Sequence, residues 1–156
     1  MKPVEVKVRL NLPVVAPLLD LVKSVADSLR QELAAPLRMN ELDGEFRESW
    51  RAELLASQNA DVRTLLALFD REFFATGVIS FTEANAEAIV RACSAVRLRL
   101  RERYLAAIED EKLESGEVDL ATLAEPVRKA FFCYLFLASP VQELIIRHLD
   151  SSILDS

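Results

Sequence analysis

Between Thr82 and Leu113 the chain reads TEANAEAIVRACSAVRLRLRERYLAAIEDEKL, a stretch without a glycine or a proline. It opens on a residue suited to capping and can be written as one unbroken helix. Roughly 30 residues at ~1.5 Å each give a rod of about 45 Å. A globule of this chain length has a diameter of roughly 40 Å, so such a rod crosses the whole molecule and other elements must pack around it. At 100° per residue, Ile89, Cys93, Val96, Leu100, Tyr104 and Ala107 share one stripe, which is the expected core face. Leu98 and Leu105 point elsewhere, which predicts neighbours on two sides. Thr82 is the expected N-cap, with Glu83 and Glu87 near the positive end of the dipole.

The remaining pattern is also mostly helical. Only three glycines and six prolines occur, and Ala, Leu, Arg and Glu, all strong helix formers, dominate. The exception is VEVKVRLNL, Val4 to Leu12, where apolar and polar residues alternate strictly between Pro3 and Pro13. Period 2 predicts a half-buried strand, which needs a hydrogen-bonding neighbour. The candidates are Val78–Phe81, Val118–Leu120, or the same strand of a second copy, giving a homodimer. The first two sit at opposite ends of the long helix, so they cannot both flank it.

Helix 1 is expected over Ala16–Leu33 with Pro17 in its first turn, followed by a connector over 34–44. Helix 2 is expected over Glu45–Ser57, with Phe46, Trp50 and Leu54 four apart. Ser57 to Asn59 offers a break and a cap, and helix 3 is expected over Asp61–Ala75, closing on Gly77. Beyond the long helix, Ser115–Gly116 is a stop and Asp119 can cap a short turn. Pro126 opens an almost wholly apolar helix, and Ser139–Pro140 starts a last one to Asp150. No linker or low-complexity run divides the 156 residues, which predicts one domain over 1–156. The expected fold is mainly α: a multi-helix bundle around one long central helix, with a short N-terminal β-strand.

Composition narrows the chemistry. Apolar content is 51%, charged content 28% and the net charge -6, the balance of a soluble globule that repels nucleic acid and anionic lipid. No basic-then-apolar leader opens the chain. The uncharged run Ala130–Gln142 is too short for a bilayer, which takes about 20 residues. Cys93 and Cys133 lack CxxC spacing and fall in apolar pattern, as reduced core thiols of a cytoplasmic protein do.

A single histidine, His148, rules out HExxH and paired ExxH metal sites. Glu72–Glu83 has Gly, Ile and Glu at calcium-loop positions, but Phe74 and Thr76 stand where oxygen ligands belong. Glu111–Thr122 fits worse. Gly44, Gly77 and Gly116 are too scattered for a phosphate loop. No cofactor, no metal and no catalytic residue is therefore expected.

Two charge features remain. Arg97, Arg99, Arg101 and Arg103, with Arg91 upstream, border the core stripe on both sides, where their stems cover apolar edges and their heads reach carboxylates. Glu109, Asp110, Glu111, Glu114, Glu117 and Asp119 crowd the end of the long helix, where acids oppose the dipole. A local rule broken in this way can mark a contact with a partner. The candidate partner contacts are thus Arg97, Arg99, Arg101, Arg103, Glu109, Asp110, Glu111 and Glu114.

The order of features resembles a known family. The short strand is followed by Glu45–Phe46–Arg47, then Ala86–Glu87–Ala88, then Arg97–Leu98 continuing into an Arg–Leu–Arg run. Gln142–Glu143 follows an aromatic-rich helix. Together these look like a bacterial domain-of-unknown-function family, common in actinobacteria and often encoded beside the Clp protease adaptor that reads N-terminal degrons. The chain departs from that pattern in its four closely spaced arginines and in Cys93–Ser94–Ala95 before them. The resemblance carries over no catalytic residue and implies only a link to regulated proteolysis. The expected function is non-enzymatic protein–protein interaction or regulation, tied to Clp-type proteolysis through a protein partner. The alternative is a nucleic-acid-binding regulator using the arginines of the central helix, a reading the acidic total disfavours.

Overall fold

A computed structural model describes residues 5–34, 44–138, 141 and 145, together with the helical positions of Asp110 and Glu114 but not their side chains. The alternating N-terminal segment forms strand β1, Glu5–Arg9. It pairs antiparallel with β2, Val78–Thr82, in a register that sets Val6 opposite Phe81 and Val8 opposite Ile79. Of the two internal neighbours the sequence offers, the chain uses Val78–Thr82; residues 116–119 form no strand and Leu120–Thr122 is one 3-10 turn capped by Asp119. Val6, Val8, Leu10 and Leu12 are half-buried while the residues between them are exposed, as period 2 requires.

Helix α1 runs from Leu12 to Ser28, earlier at both ends than the expected Ala16–Leu33. Pro13, not Pro17, occupies its first turn, where the missing N–H has no intrahelical partner to lose. Helix α2 spans Gly44–Leu66 without interruption, so the break expected at Ser57–Asn59 does not occur. The amides there bond outward instead of to their own backbone. Gln58 Nε2 donates to the carbonyls of Leu29 (2.8 Å) and Glu32 (3.0 Å), and Gln58 Oε1 accepts from the Ala34 N–H at 2.9 Å. Asn59 Nδ2 donates to the Arg30 carbonyl at 3.0 Å. These bonds satisfy the frayed backbone after α1, which otherwise has few partners. The interruption falls later, and a short helix α3, Arg71–Thr76, follows, capped by Asp70 Oδ1 on the Phe73 N–H and closed by Gly77 at φ 78°.

The central helix α4 covers Glu83–Tyr104, 22 residues or roughly 33 Å, rather than the full Thr82–Leu113. Asn85 Oδ1 accepts the Thr82 N–H at its start. Ala86, Ile89, Ala92, Cys93, Val96 and Leu100 are buried, and α4 packs against α1, α2, β2 and a further helix α6, Glu125–Phe136. The bundle is therefore built around α4.

The chain turns at Leu105–Glu109 before a short helix α5, Asp110–Ser115. The reason is geometric. In a straight helix Leu105 would stand about 160° from Ile89 and Leu113 about 120° from it, both off the core stripe. The break brings both into the core, at 0% and 1% exposure. Burying two leucines contributes about 4–5 kcal/mol, which outweighs the few helical hydrogen bonds lost at about 1 kcal/mol each. Ala107, expected on the core stripe, is exposed, and Tyr104 is half-buried.

The break also reverses the setting of the first part of the acidic run, while Glu114 stays at the C-terminal end of α5. Glu109 stands at the N-cap position of α5, without a side-chain capping bond, and Glu111 lies in its first turn, where the helix dipole favours negative charge. Arg101 and Arg103 fill the last turn of α4, where it favours positive charge. Of the expected last helix from Pro140 to Asp150 only Val141 and Ile145 are described, and both are buried; the connector over 35–43 and His148 lie outside the described residues. Among the described residues, no helix is long and apolar enough to cross a membrane.

Candidate interaction surface

Helices α2 and α4 lie antiparallel. Near the C-terminal half of α2, Asp61 accepts two bonds from Arg91, at 3.0 Å from Nε and 3.1 Å from Nη2. This forked pairing is the strong form of the guanidinium–carboxylate contact. It raises the pKa of Arg91, chiefly through the Asp61 bond; burial lowers it by less than that bond raises it, and the charges of Asp61 and Glu87 add smaller upward contributions. The same pair lines one end of a groove of about 430 Å³ that opens between Leu54, Ser57 and Gln58 of α2 and Ala92, Ala95 and Leu98 of α4, with Leu33 at its side.

Extending the same antiparallel register sets Trp50 opposite the last turn of α4 and Phe46 beyond Tyr104, where α4 has already ended. At 100° per residue Phe46 and Trp50 stand about 160° and 120° from the buried Val62, so they lie on a different face of α2. Phe46, Trp50 and Leu54 remain 55%, 38% and 36% exposed, and Leu98 across the groove 46%. Aromatic side chains grouped on one exposed face mark an interaction surface rather than scattered exposure. The spacing of Phe46, Trp50 and Leu54 is plain in the sequence, but spacing alone does not separate a stripe that faces the core from one that faces water. The early end of α4 and the rotation of α2 against it tell the two apart.

The four arginines do not gather into one basic strip. The Arg97 guanidinium lies 4.6 Å from the centre of the Tyr134 ring, and its Nη2 donates to Tyr134 Oη at 3.1 Å. Arg99 turns the other way, is only 3% exposed, and pairs with Glu32 at 2.9 Å. It offers almost no surface to a partner, and its Nε and Nη2 are buried without hydrogen-bond partners. Arg101 is half-buried and Arg103 exposed. Glu109 and Glu111 are exposed; the side chains of Asp110 and Glu114 lie outside the described residues. The arginines and acids expected as one set of contacts are thus divided among α4, its neighbours and α5.

The thiols of Cys93 and Cys133 are free, buried, and pushed up to about 12 by desolvation, against small lowering from Arg97 and Lys129 respectively. Cys133 Sγ lies 3.5 Å from the Leu18 carbonyl oxygen. Such thiols are poor nucleophiles. Among the described residues, no three of His, Cys, Asp and Glu stand close enough to hold a metal ion.

Fold and surface together define a mainly α domain, helices around one central helix with a two-stranded sheet, that presents an apolar helix face. Its sequence places it more narrowly. The chain belongs to the family described as Domain of unknown function (DUF2017), whose model matches residues 13–149. No curated protein and no solved structure matches it.

Proposed function

We propose that this domain is a non-enzymatic protein–protein interaction module with a regulatory role in Clp-type proteolysis. The observation that carries the interaction reading is the face of Phe46, Trp50 and Leu54, continued by the groove toward Leu98. A partner helix with apolar residues at helical spacing would fill such a surface. The net charge of -6 favours a partner whose flanks are basic, and the exposed Glu109 and Glu111 would add to that attraction. The link to Clp-type proteolysis is supported by the resemblance to a family encoded beside the Clp adaptor.

Trp50 is the only tryptophan, so its emission reports directly on this face. Titration with the purified Clp adaptor is expected to shift that emission to the blue, and Leu54→Arg is expected to weaken the binding about tenfold or more. An unchanged emission at saturating adaptor overturns the Clp link. Binding that survives Leu54→Arg and Phe46→Arg overturns the assignment of the face. A nucleic-acid reading would lose two of its four arginines, since Arg97 and Arg99 are engaged by Tyr134 and Glu32.

A further inference from the structure

The first strand presents a second surface, independent of the α2 face. Leu10 N–H donates to the Gly77 carbonyl at 2.7 Å. Hydrogen-bonded pairs alternate along an antiparallel ladder, so in the observed register Val8 with Ile79 and Val6 with Phe81 are the bonded pairs. The N–H and C=O groups of Glu5, Lys7 and Arg9 therefore point away from β2. Among the described residues the sheet has no further strand, so this edge of β1 is a template for another.

Beside it lies a groove of about 640 Å³, lined by Val8, Leu10, Val14, Leu18, Phe132 and Leu135 among others and by no residue of β2. Its mouth is apolar: Val14 is 60% and Phe132 40% exposed.

The strand reads EVKVR, and that order is self-complementary. Laid antiparallel on a second copy about Lys7, Glu5 faces Arg9 of the other strand, Val6 faces Val8, and the outward-pointing backbone groups meet outward-pointing ones. A shift by one residue breaks that match. Only Lys7 meets its own like charge, and Glu72 lies 4.0 Å from its Nζ to offset the repulsion. A two-fold axis at Lys7 also brings the two grooves side by side, so Val14 and Phe132 of each copy have apolar surface to cover. We propose that β1 is a homodimerisation edge: two chains join their first strands antiparallel about Lys7 into one four-stranded sheet.

The test is mass by light scattering over a wide concentration range on the full chain. The wild type is expected to move from one chain mass toward two as concentration rises. Glu5→Arg and Arg9→Glu are each expected to loosen the dimer about tenfold, because two symmetric pairs turn from attraction to repulsion. Combining them restores opposite charges and is expected to restore the affinity. Val14→Asp is expected to loosen the dimer while leaving the helical signal unchanged. A chain that stays monomeric throughout overturns the proposal. So does a dimer indifferent to both reversals, a double variant as weak as the singles, or a dimer lost only on Trp50→Ala.

Discussion

Replacing Gly77 by alanine tests the β1–β2 register at a single atom. Gly77 has φ 78°, and a Cβ there would stand 2.8 Å from the carbonyl oxygen of Leu10. Real Cβ atoms do not approach backbone oxygen so closely, so Leu10 must move, and its N–H bond to the Gly77 carbonyl must stretch or break. Gly116 supplies the control, with φ 74° and nothing within 4 Å of its Cβ position. Both variants incur the left-handed backbone penalty of roughly 1–2 kcal/mol, reduced by about 0.5 kcal/mol because alanine restricts the unfolded chain. Gly116→Ala is therefore expected to cost about 1 kcal/mol. Gly77→Ala adds the displaced carbonyl and the weakened hydrogen bond, at about 1–2 kcal/mol more, for a total of about 2–3 kcal/mol. At this chain length that corresponds to a drop in Tm of ~6–10 °C, against ~3 °C for the control. Urea unfolding followed by helical circular dichroism measures both. Equal losses for the two variants would mean that no backbone crowds Gly77, and the register of β1 on β2 would have to be wrong.

The pair formed by buried Arg99 and exposed Glu32 gives an asymmetric expectation. Glu32→Ala strands a 3%-exposed guanidinium and is expected to cost about 1–3 kcal/mol, whereas Arg99→Met, which also removes the unsatisfied Nε and Nη2, is expected to cost less or to stabilise; denaturant midpoints rank the two. The thiols at about 12 give a pH dependence: unfolded cysteines ionise near pH 8.5 while the folded ones stay protonated, so stability is full below that and falls as pH rises toward 12. Cys93→Ala with Cys133→Ala is expected to flatten that part of the curve, and native protein at pH 8 is expected to react with thiol reagents only as fast as it unfolds.

The strand, its alternation, the cap at Thr82 and the apolar stripe of α4 were legible because each is local: period 2, a capping residue, and a recurrence of 3.6 residues. What could not be read depended on contacts between elements far apart in the chain. Gln58 and Asn59 carry the side chains of a helix stop, yet they continue α2 because the carbonyls after α1 lie within their reach. The end of α4 at Tyr104 has no glycine or proline to announce it; it follows from where Leu105 and Leu113 find a core. The same gap governs the surface. Phe46, Trp50 and Leu54 were visible as a stripe, but whether a stripe faces a neighbour or water is decided by the length of the element opposite and by the rotation of the helix against it. The arginines split as their helical projection predicts, two toward different neighbours, because projection needs only the helix itself.

The pairing of β1 with β2 also sets a schedule for synthesis. Val78 leaves the ribosome long after Arg9, and at about 5–20 residues per second the interval lasts roughly several seconds. For that time the nascent chain carries a complete apolar–charged strand with both of its sides open. Polysomes bring many such chains close together, so the first strand is open to its neighbours' copies before its own partner has been made.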